Sequence, residues 1–325
     1  MTDAAGAGAG RDSDGPGLAM PVDAAPPGAR AGRKRGERGG PNLAMALPAL
    51  AMFGGFALAP MVLVFVLGFT QWSGLGKPVW TGLSNWHEAV HDPVTQGAGW
   101  LTLKLMITSW LVQTPICLLL GVFIAGRQRY RSVLAVIYFV PLLLSTVAIG
   151  ITFRALLDPN FGVSAAPSLA FLAHDWLGDE DLAFYSIVAV VSWQFIPFHT
   201  LLYQAGVRQI PRIIYEAAIV DGAGRLAMFW YITLPQLRYT IVTSSMLILV
   251  GSLTYFDLVY VMTGGGPGFA TRLLPLDMFL SAFSRREMGR ASAIASLLVG
   301  GGLLLSLVLV RFSGFARMRS QQEGL

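Results

Sequence analysis

Two sets of residues stand out chemically in an otherwise apolar chain. The first lies inside or at the ends of long apolar runs. It comprises Tyr255, Asp257 and Tyr260, then Ser192, Trp193, Gln194, His199 and Tyr203, then Arg154, Asp158 and Asn160. Polar and ionisable groups at membrane depth are costly, so they are functional candidates by default. A polyhydroxylated ring has apolar faces and hydroxyls, and is held by an aromatic face beside a hydrogen-bonding side chain. Trp193 with Gln194, and Tyr255 with Asp257, offer that pairing. Interhelical hydrogen bonding explains a Ser, Gln or His in a bundle equally well. The second set is a polar–apolar stretch with Glu216 and Asp221 as acceptors for a partner's amides or arginines.

Other chemistry finds less support. His87 and His91 are four apart, as two metal ligands on a helix face would be. They are read as surface residues of an outer loop, and no metal site is assigned. The single cysteine, Cys117, sits in an apolar run as a small buried residue. No Gly-x-x-x-x-Gly-Lys-[Ser/Thr] loop occurs. The Gly-Ala-Gly-Ala-Gly-Arg of the N-terminal region lacks the lysine and hydroxyl. The chain is therefore expected to be no enzyme, to hydrolyse no ATP and to bind no cofactor.

The elements that must position these residues follow from composition. Of 325 residues, 54% are hydrophobic and 13% charged, against about 25% charged in soluble domains. So little charge suits a chain whose surface is covered by lipid. The net charge of +5 comes from basic residues between apolar runs, which points to membrane topology and away from nucleic acid. Six apolar stretches approach the roughly 20 residues that cross a bilayer: about 43–69, 100–125, 133–157, 183–206, 239–262 and 290–312. Pro48, Pro60, Pro115, Pro141 and Pro197 lie within them and are expected at kinks. Residues 1–42 are rich in Gly, Ala, Pro and Arg and read as a disordered basic tail. The first apolar run exceeds the roughly 7–15 residues of a signal-peptide core, so it reads as a retained helix.

Arginine and lysine placement gives the orientation. The basic tail, the loop with Arg127, Arg129 and Arg131, residues 207–238, and the C-terminal residues 316–325 are placed inside. Residues 70–99 hold only Lys77, and residues 158–182 only acidic charges, so both are placed outside. The fifth loop is the exception: it falls outside, yet carries Arg272, Arg285, Arg286 and Arg290, partly offset by Asp277 and Glu287. Trp72, Trp80, Trp86, Trp100 and Trp176 fit an aromatic belt at the outer interface.

The loop at 207–238 is unlike a plain connector. Pro211 suits the first position of a helix. Ile213, Ile214, Ala217, Ala218 and Val220 form an apolar stripe, and Gly222 and Gly224 break it. A second apolar stretch, Leu226 to Leu234, ends at Pro235. This reads as helix, glycine turn, helix. From the residues alone, a docking element for a soluble partner and a helix lying on the membrane surface are about equal.

The same loop resembles the EAA loop of binding-protein-dependent importer permeases: Glu-Ala-Ala, three residues, Gly, nine residues, Ile-x-Leu-Pro. Glu216, Ala217, Ala218, Gly222, Ile232, Leu234 and Pro235 match at every spacing, with Asp221 before the glycine as in the carbohydrate branch. Thr263-Gly-Gly-Gly-Pro267 is similar to an element of the first permease subunits of the maltose and glycerol-3-phosphate type. The resemblance covers about 43–315. It implies an all-α, polytopic chain with the six transmembrane helices of the type I ABC importer permease fold, in the cytoplasmic membrane with both termini inside. It further implies that the loop couples to an ATPase dimer, and that a second EAA-type permease and an extracytoplasmic solute-binding protein complete the assembly. Solute contacts would come from the third to fifth spans, with Asp158-Pro-Asn-Phe-Gly162 as one contact region that includes Asn160 and Gly162. The competing reading is an ion-coupled secondary transporter, which would predict internal repeats and a buried carboxylate relay. No clear repeat is visible, and Asp257 is the deep carboxylate.

Overall fold

The computed structural model describes residues 43–126, 129–163 and 174–313. The N-terminal tail, Arg127 and residues 316–325 lie outside these. The chain divides after Ala51; before that point the described residues are helical, as α1 (Leu43–Phe53).

In the body, α2 (Ala59–Leu67) follows a π turn at Gly54–Leu58. A two-residue hairpin, β1 (Thr70–Gln71) antiparallel to β2 (Val79–Trp80), pairs Thr70 with Trp80. Then come α3 (Ser84–His91), α4 (Pro93–Ile124), α5 (Arg129–Leu143) and α6 (Thr146–Leu156). They are followed by α7 (Glu180–Gln209), α8 (Arg212–Val220), α9 (Arg225–Met228) and α10 (Leu234–Gln236). The last are α11 (Arg238–Gly251), α12 (Asp257–Met262), α13 (Leu274–Phe279) and α14 (Met288–Ser313).

Four helical stretches are long and apolar enough to cross a membrane unbroken: Met45–Leu67, Pro93–Ile124, Glu180–Gln209 and Met288–Arg311. The third and fifth expected spans are not single helices. α5 and α6 meet at 101° around Leu144–Ser145. Pro141 in the last turn of α5 removes a donor, and Ser145 is extended at ψ 134°. α11 is bent by 66° against Arg225–Gln236. At its far end a short 3₁₀ turn, Ser252–Thr254, runs into extended Tyr255 before α12 starts. Pro115 and Pro197, by contrast, sit inside continuous helices.

The core forms where α4 packs on α7, and α6 on α12. Leu105, Ile149, Ile187, Val191, Val259 and Leu276 are fully or almost fully buried there. The outward face of the bundle is apolar and exposed, as lipid contact requires. Residues 263–289, expected as a plain loop, contain the apolar helical stretch Leu274–Ser284. The Thr263–Pro267 element before it is a closed turn. Thr263 Oγ1 lies 2.7 Å from Thr271 Oγ1, which donates to the Gly266 carbonyl at 2.7 Å.

The arginine-rich fifth loop is resolved by pairing. Arg272 lies 3.0 Å from Asp277, which is fully buried and accepts a 2.8 Å hydrogen bond from Thr95 Oγ1. Arg290, also buried, reaches Asp92 at 2.6 Å and Glu88 at 2.9 Å. Two of the four arginines are thus neutralised inside the fold.

Candidate functional site

The two helix breaks face one cavity of about 400 Å³. Thr146 contributes from the start of α6, Gln194, Phe198 and His199 from α7, and Tyr255, Phe256 and Asp257 from the break before α12. Non-helical backbone at membrane depth leaves N–H and C=O groups without intrahelical partners, and is tolerated where it is buried in protein or lines a polar cavity. Gln194 Nε2 donates to Thr146 Oγ1 at 2.9 Å, while its Oε1 is buried with no hydrogen-bond partner among the described residues. His199 Nδ1 lies 3.0 Å from Ser244 Oγ in a buried contact between α7 and α11. His199 thus makes an interhelical hydrogen bond and also lines the cavity. The wall therefore mixes aromatic faces with amide, hydroxyl and carboxylate groups.

The structure gathers Gln194, Tyr255 and Asp257 and separates the rest. Asp257 is exposed where it lines this cavity. Trp193 points elsewhere: it lines a second, apolar cavity of about 470 Å³ with Leu157, Trp176 and Tyr185, edge-on to Phe153 at 5.2 Å. Consecutive helix residues are about 100° apart, so Trp193 and Gln194 cannot share a face. Asp158, Asn160 and Gly162 form a turn that ends α6. Asp158 Oδ1 accepts from the backbone of Asn160 at 2.8 Å and Phe161 at 3.0 Å. A Cβ on Gly162 would stand 2.2 Å from the Leu156 carbonyl oxygen, so the turn requires glycine there. None of the three lines the 400 Å³ cavity. Thr146 and Phe198 went unread in the sequence. The Ser145–Thr146 pair just after Pro141, in mid-span, was the available signal.

The loop at the other site folds as helix, glycine turn, helix. Pro211 caps α8, and Gly222 ends it at φ +80°. The Gly222 N–H donates to Ile219 O at 3.0 Å and the Ala223 N–H to Ala218 O at 2.8 Å, the paired closure that needs a left-handed residue. Tyr215 Oη, 2.9 Å from Thr233 Oγ1, ties α8 to the π turn Phe229–Thr233. Ile232 and Leu234 are half-buried, and Leu237 beyond them is buried. Pro235, Glu216, Ala217, Asp221 and Gly222 are exposed, and Ala218 is half-buried. The only charge contact on Glu216 among the described residues is a loose 3.7 Å pair with Arg212. Ile213 and Val220 are 72% and 86% exposed, so α8 shows an apolar side that none of the described residues covers.

Comparison with known proteins agrees with this architecture. The family model described as "Binding-protein-dependent transport system inner membrane component" matches residues 117–317. A probable ABC transporter permease protein of Pyrococcus horikoshii is 33% identical over 273 residues, covering 81% of this chain and 91% of that one. The trehalose/maltose transport system permease protein MalF of Thermococcus litoralis is 30% identical over 273 residues, covering 80% and 92%. Among solved structures, a chain of a bacterial alginate ABC transporter in complex with alginate pentasaccharide-bound periplasmic protein superposes with a TM-score of 0.73. It is 22% identical and covers 83% of this chain and 93% of that one, a likeness of fold. The chain belongs to the family of binding-protein-dependent transport system inner membrane components, the membrane-spanning permease subunits of ABC importers.

Proposed function

We propose that this chain is one of two unlike permease subunits that together pass a carbohydrate, from disaccharide to oligosaccharide or a glycerol-3-phosphate-like solute, into the cell. The observation that carries this is the cavity at which the two broken helices meet. Thr146, Gln194 and Asp257 supply hydrogen-bonding groups there, and Tyr255, Phe256 and Phe198 supply ring faces. The likeness to a trehalose/maltose transport system permease protein supports the same solute class. A single chain lines only one side of a conduit, and the exposure of Asp257 leaves room for a second permease to close it.

In this reading the α8 loop lies in the cytoplasm with both termini. An ATPase dimer, which binds the ATP, covers Ile213 and Val220. Glu216, Ala217, Ala218, Asp221 and Gly222 shape the contact, and Ile232, Leu234 and Pro235 anchor the second helix. Closure of the ATPases on nucleotide rotates α8, and with it the spans that line the cavity. A solute-binding protein delivers solute at the opposite face.

The test is transport by the reconstituted four-part assembly. Uptake of a labelled oligosaccharide should require ATP and the binding protein. Uptake that follows a proton or sodium gradient, with no ATP dependence, would mean an ion-coupled carrier instead.

A further inference from the structure

The stretch from just before α13 to the first turn of α14 carries arginines of two kinds. Arg272 and Arg290 are folded in against carboxylates. Arg285 and Arg286 are exposed, and neither has an ion-pair partner among the described residues. Short outward loops are depleted in arginine because positive charge opposes translocation. Two unpaired guanidinium groups in such a loop therefore need a reason.

The backbone gives a second observation. Arg286 stands at φ +60°, a left-handed conformation that is strained for a residue with a Cβ. Glycine would sit there without that strain. The turn is held by three backbone bonds: Arg285 N–H to Leu280 O at 3.0 Å, Glu287 N–H to Ser281 O at 2.9 Å, and Met288 N–H to Trp72 O at 2.9 Å. The last ties it to the first outer loop. Arg286 is thus displayed in a fixed place. Beside it opens a cleft of about 260 Å³ lined by Gln71, Trp72, Asn85, Glu88 and Arg290. Phe283, two residues before Arg285, is 64% exposed.

We propose that the Phe283–Arg286 turn is a docking knuckle for the extracytoplasmic solute-binding protein, with Arg285 and Arg286 taking carboxylates on that protein's surface. The inference rests on the orientation given above. Guanidinium groups pair with carboxylates through two parallel hydrogen bonds, and an aromatic beside arginines is a common anchor composition at interfaces. A lipid headgroup would meet the same positive charge. However, the cleft at Arg286 has polar walls and two carboxylates, Glu88 and Glu287, which would repel an anionic headgroup, whereas the cavity between α2 and α14 is almost wholly apolar.

The test uses the complete transporter in nanodiscs. The quantity read is the concentration of solute-loaded binding protein that half-maximally stimulates ATP hydrolysis. The double variant Arg285→Glu/Arg286→Glu should raise it about ten-fold, keep the maximum at saturation, and lose the salt dependence of the wild type. Arg285→Gln/Arg286→Gln should give a smaller rise in the same direction. An unchanged half-saturation in both variants overturns the proposal. So does a shift that follows the anionic lipid content of the disc, or loss of the second permease from the purified complex of the glutamine variant. Orientation is read separately, from Ser284→Cys in a Cys117→Ser background with a membrane-impermeant maleimide. Labelling from the cytoplasmic side removes the underlying orientation. Labelling from outside with unchanged half-saturation removes the docking role alone.

Discussion

Gln194 on α7 donates through Nε2 to Thr146 Oγ1 at the head of α6, 2.9 Å away, and so joins a continuous span to a broken one at the wall of the cavity. The bond fixes the amide, whose buried Oε1 has no hydrogen-bond partner among the described residues. Thr146→Val removes the hydroxyl but keeps the shape. The loss of an interhelical bond in lipid costs about 0.6–1.7 kcal/mol, too little to unfold the chain. Solute uptake by the Thr146→Val transporter should fall several-fold at subsaturating solute, with assembly and basal ATP hydrolysis unchanged. Full uptake in both Thr146→Val and Gln194→Leu would remove this wall from the solute path.

Gly222 supplies a cleaner test of the loop, because nothing lies within 4 Å of where a Cβ would stand. A substitution there meets no clash and acts only through φ +80°. An L-residue with a Cβ pays about 1–2 kcal/mol in that region, and asparagine less. Gly222→Val should therefore loosen the end of α8 without disturbing the bundle. Binding-protein-stimulated hydrolysis and uptake should drop together in Gly222→Val and be largely kept in Gly222→Asn. Glu216→Ala, at an exposed position, should weaken coupling without altering the thermal stability of the permease.

The start of α4 offers a stability prediction. Asp92 caps α4, accepting from the Thr95 backbone at 3.1 Å, with the Thr95 hydroxyl shared between it (3.0 Å) and Asp277 (2.8 Å), while pairing with Arg290. Burial alone would raise its pKa, but the bonds from Thr95 and the charge of Arg290 outweigh that and hold the carboxyl below the usual value. A depressed carboxylate stabilises the fold at every pH above the unfolded value of about 4 and loses that contribution as pH falls through the lower folded value. The melting temperature in detergent should stay level from neutral to mildly acidic pH and decline below about pH 4. Asp92→Asn should be less stable at neutral pH by about 1–2 kcal/mol, the cost of weakening hydrogen bonds to a charged group, and should show a shallower acid decline. Removing Arg290 as Arg290→Met leaves Asp92 unpaired and should cost about 3 kcal/mol.

Much of this was legible in the sequence where local geometry fixes residue identity. Pro211, Gly222 and the spacing from Glu216 to Pro235 mark a helix, a left-handed stop and a second helix, and these elements form as read. The helix breaks were not legible, because hydropathy counts apolar residues and is blind to the hydrogen bonds between them. A run such as 133–157 scores the same whether Ser145 is helical or extended. The 11 residues Leu274–Ser284 are too short to register as a span, so the helix in the fifth loop was hidden. Trp193 and Gln194 were paired because they are neighbours in the chain, which on a helix is a reason for them to diverge. The buried Arg272–Asp277 and Arg290–Asp92 pairs need tertiary contact to be seen. Before that, their arginines read only as an orientation anomaly.

The apolar side of α8 carries the last prediction. Ile213 and Val220 are almost fully open, and burying each against a partner is worth about 1.5–3 kcal/mol. Ile213→Asp/Val220→Asp should leave the isolated permease as stable as wild type, since neither side chain packs inside it. In the complex it should remove most of that burial and introduce two charges into the contact. The amount of ATPase recovered with affinity-purified permease should fall at least ten-fold. Ile213→Leu/Val220→Ile, which keeps the apolar area, should recover the wild-type amount. The membrane-surface alternative for this helix makes the opposite forecast: lipid would be the cover, the ATPase would remain bound to the aspartate variant, and coupled uptake would persist.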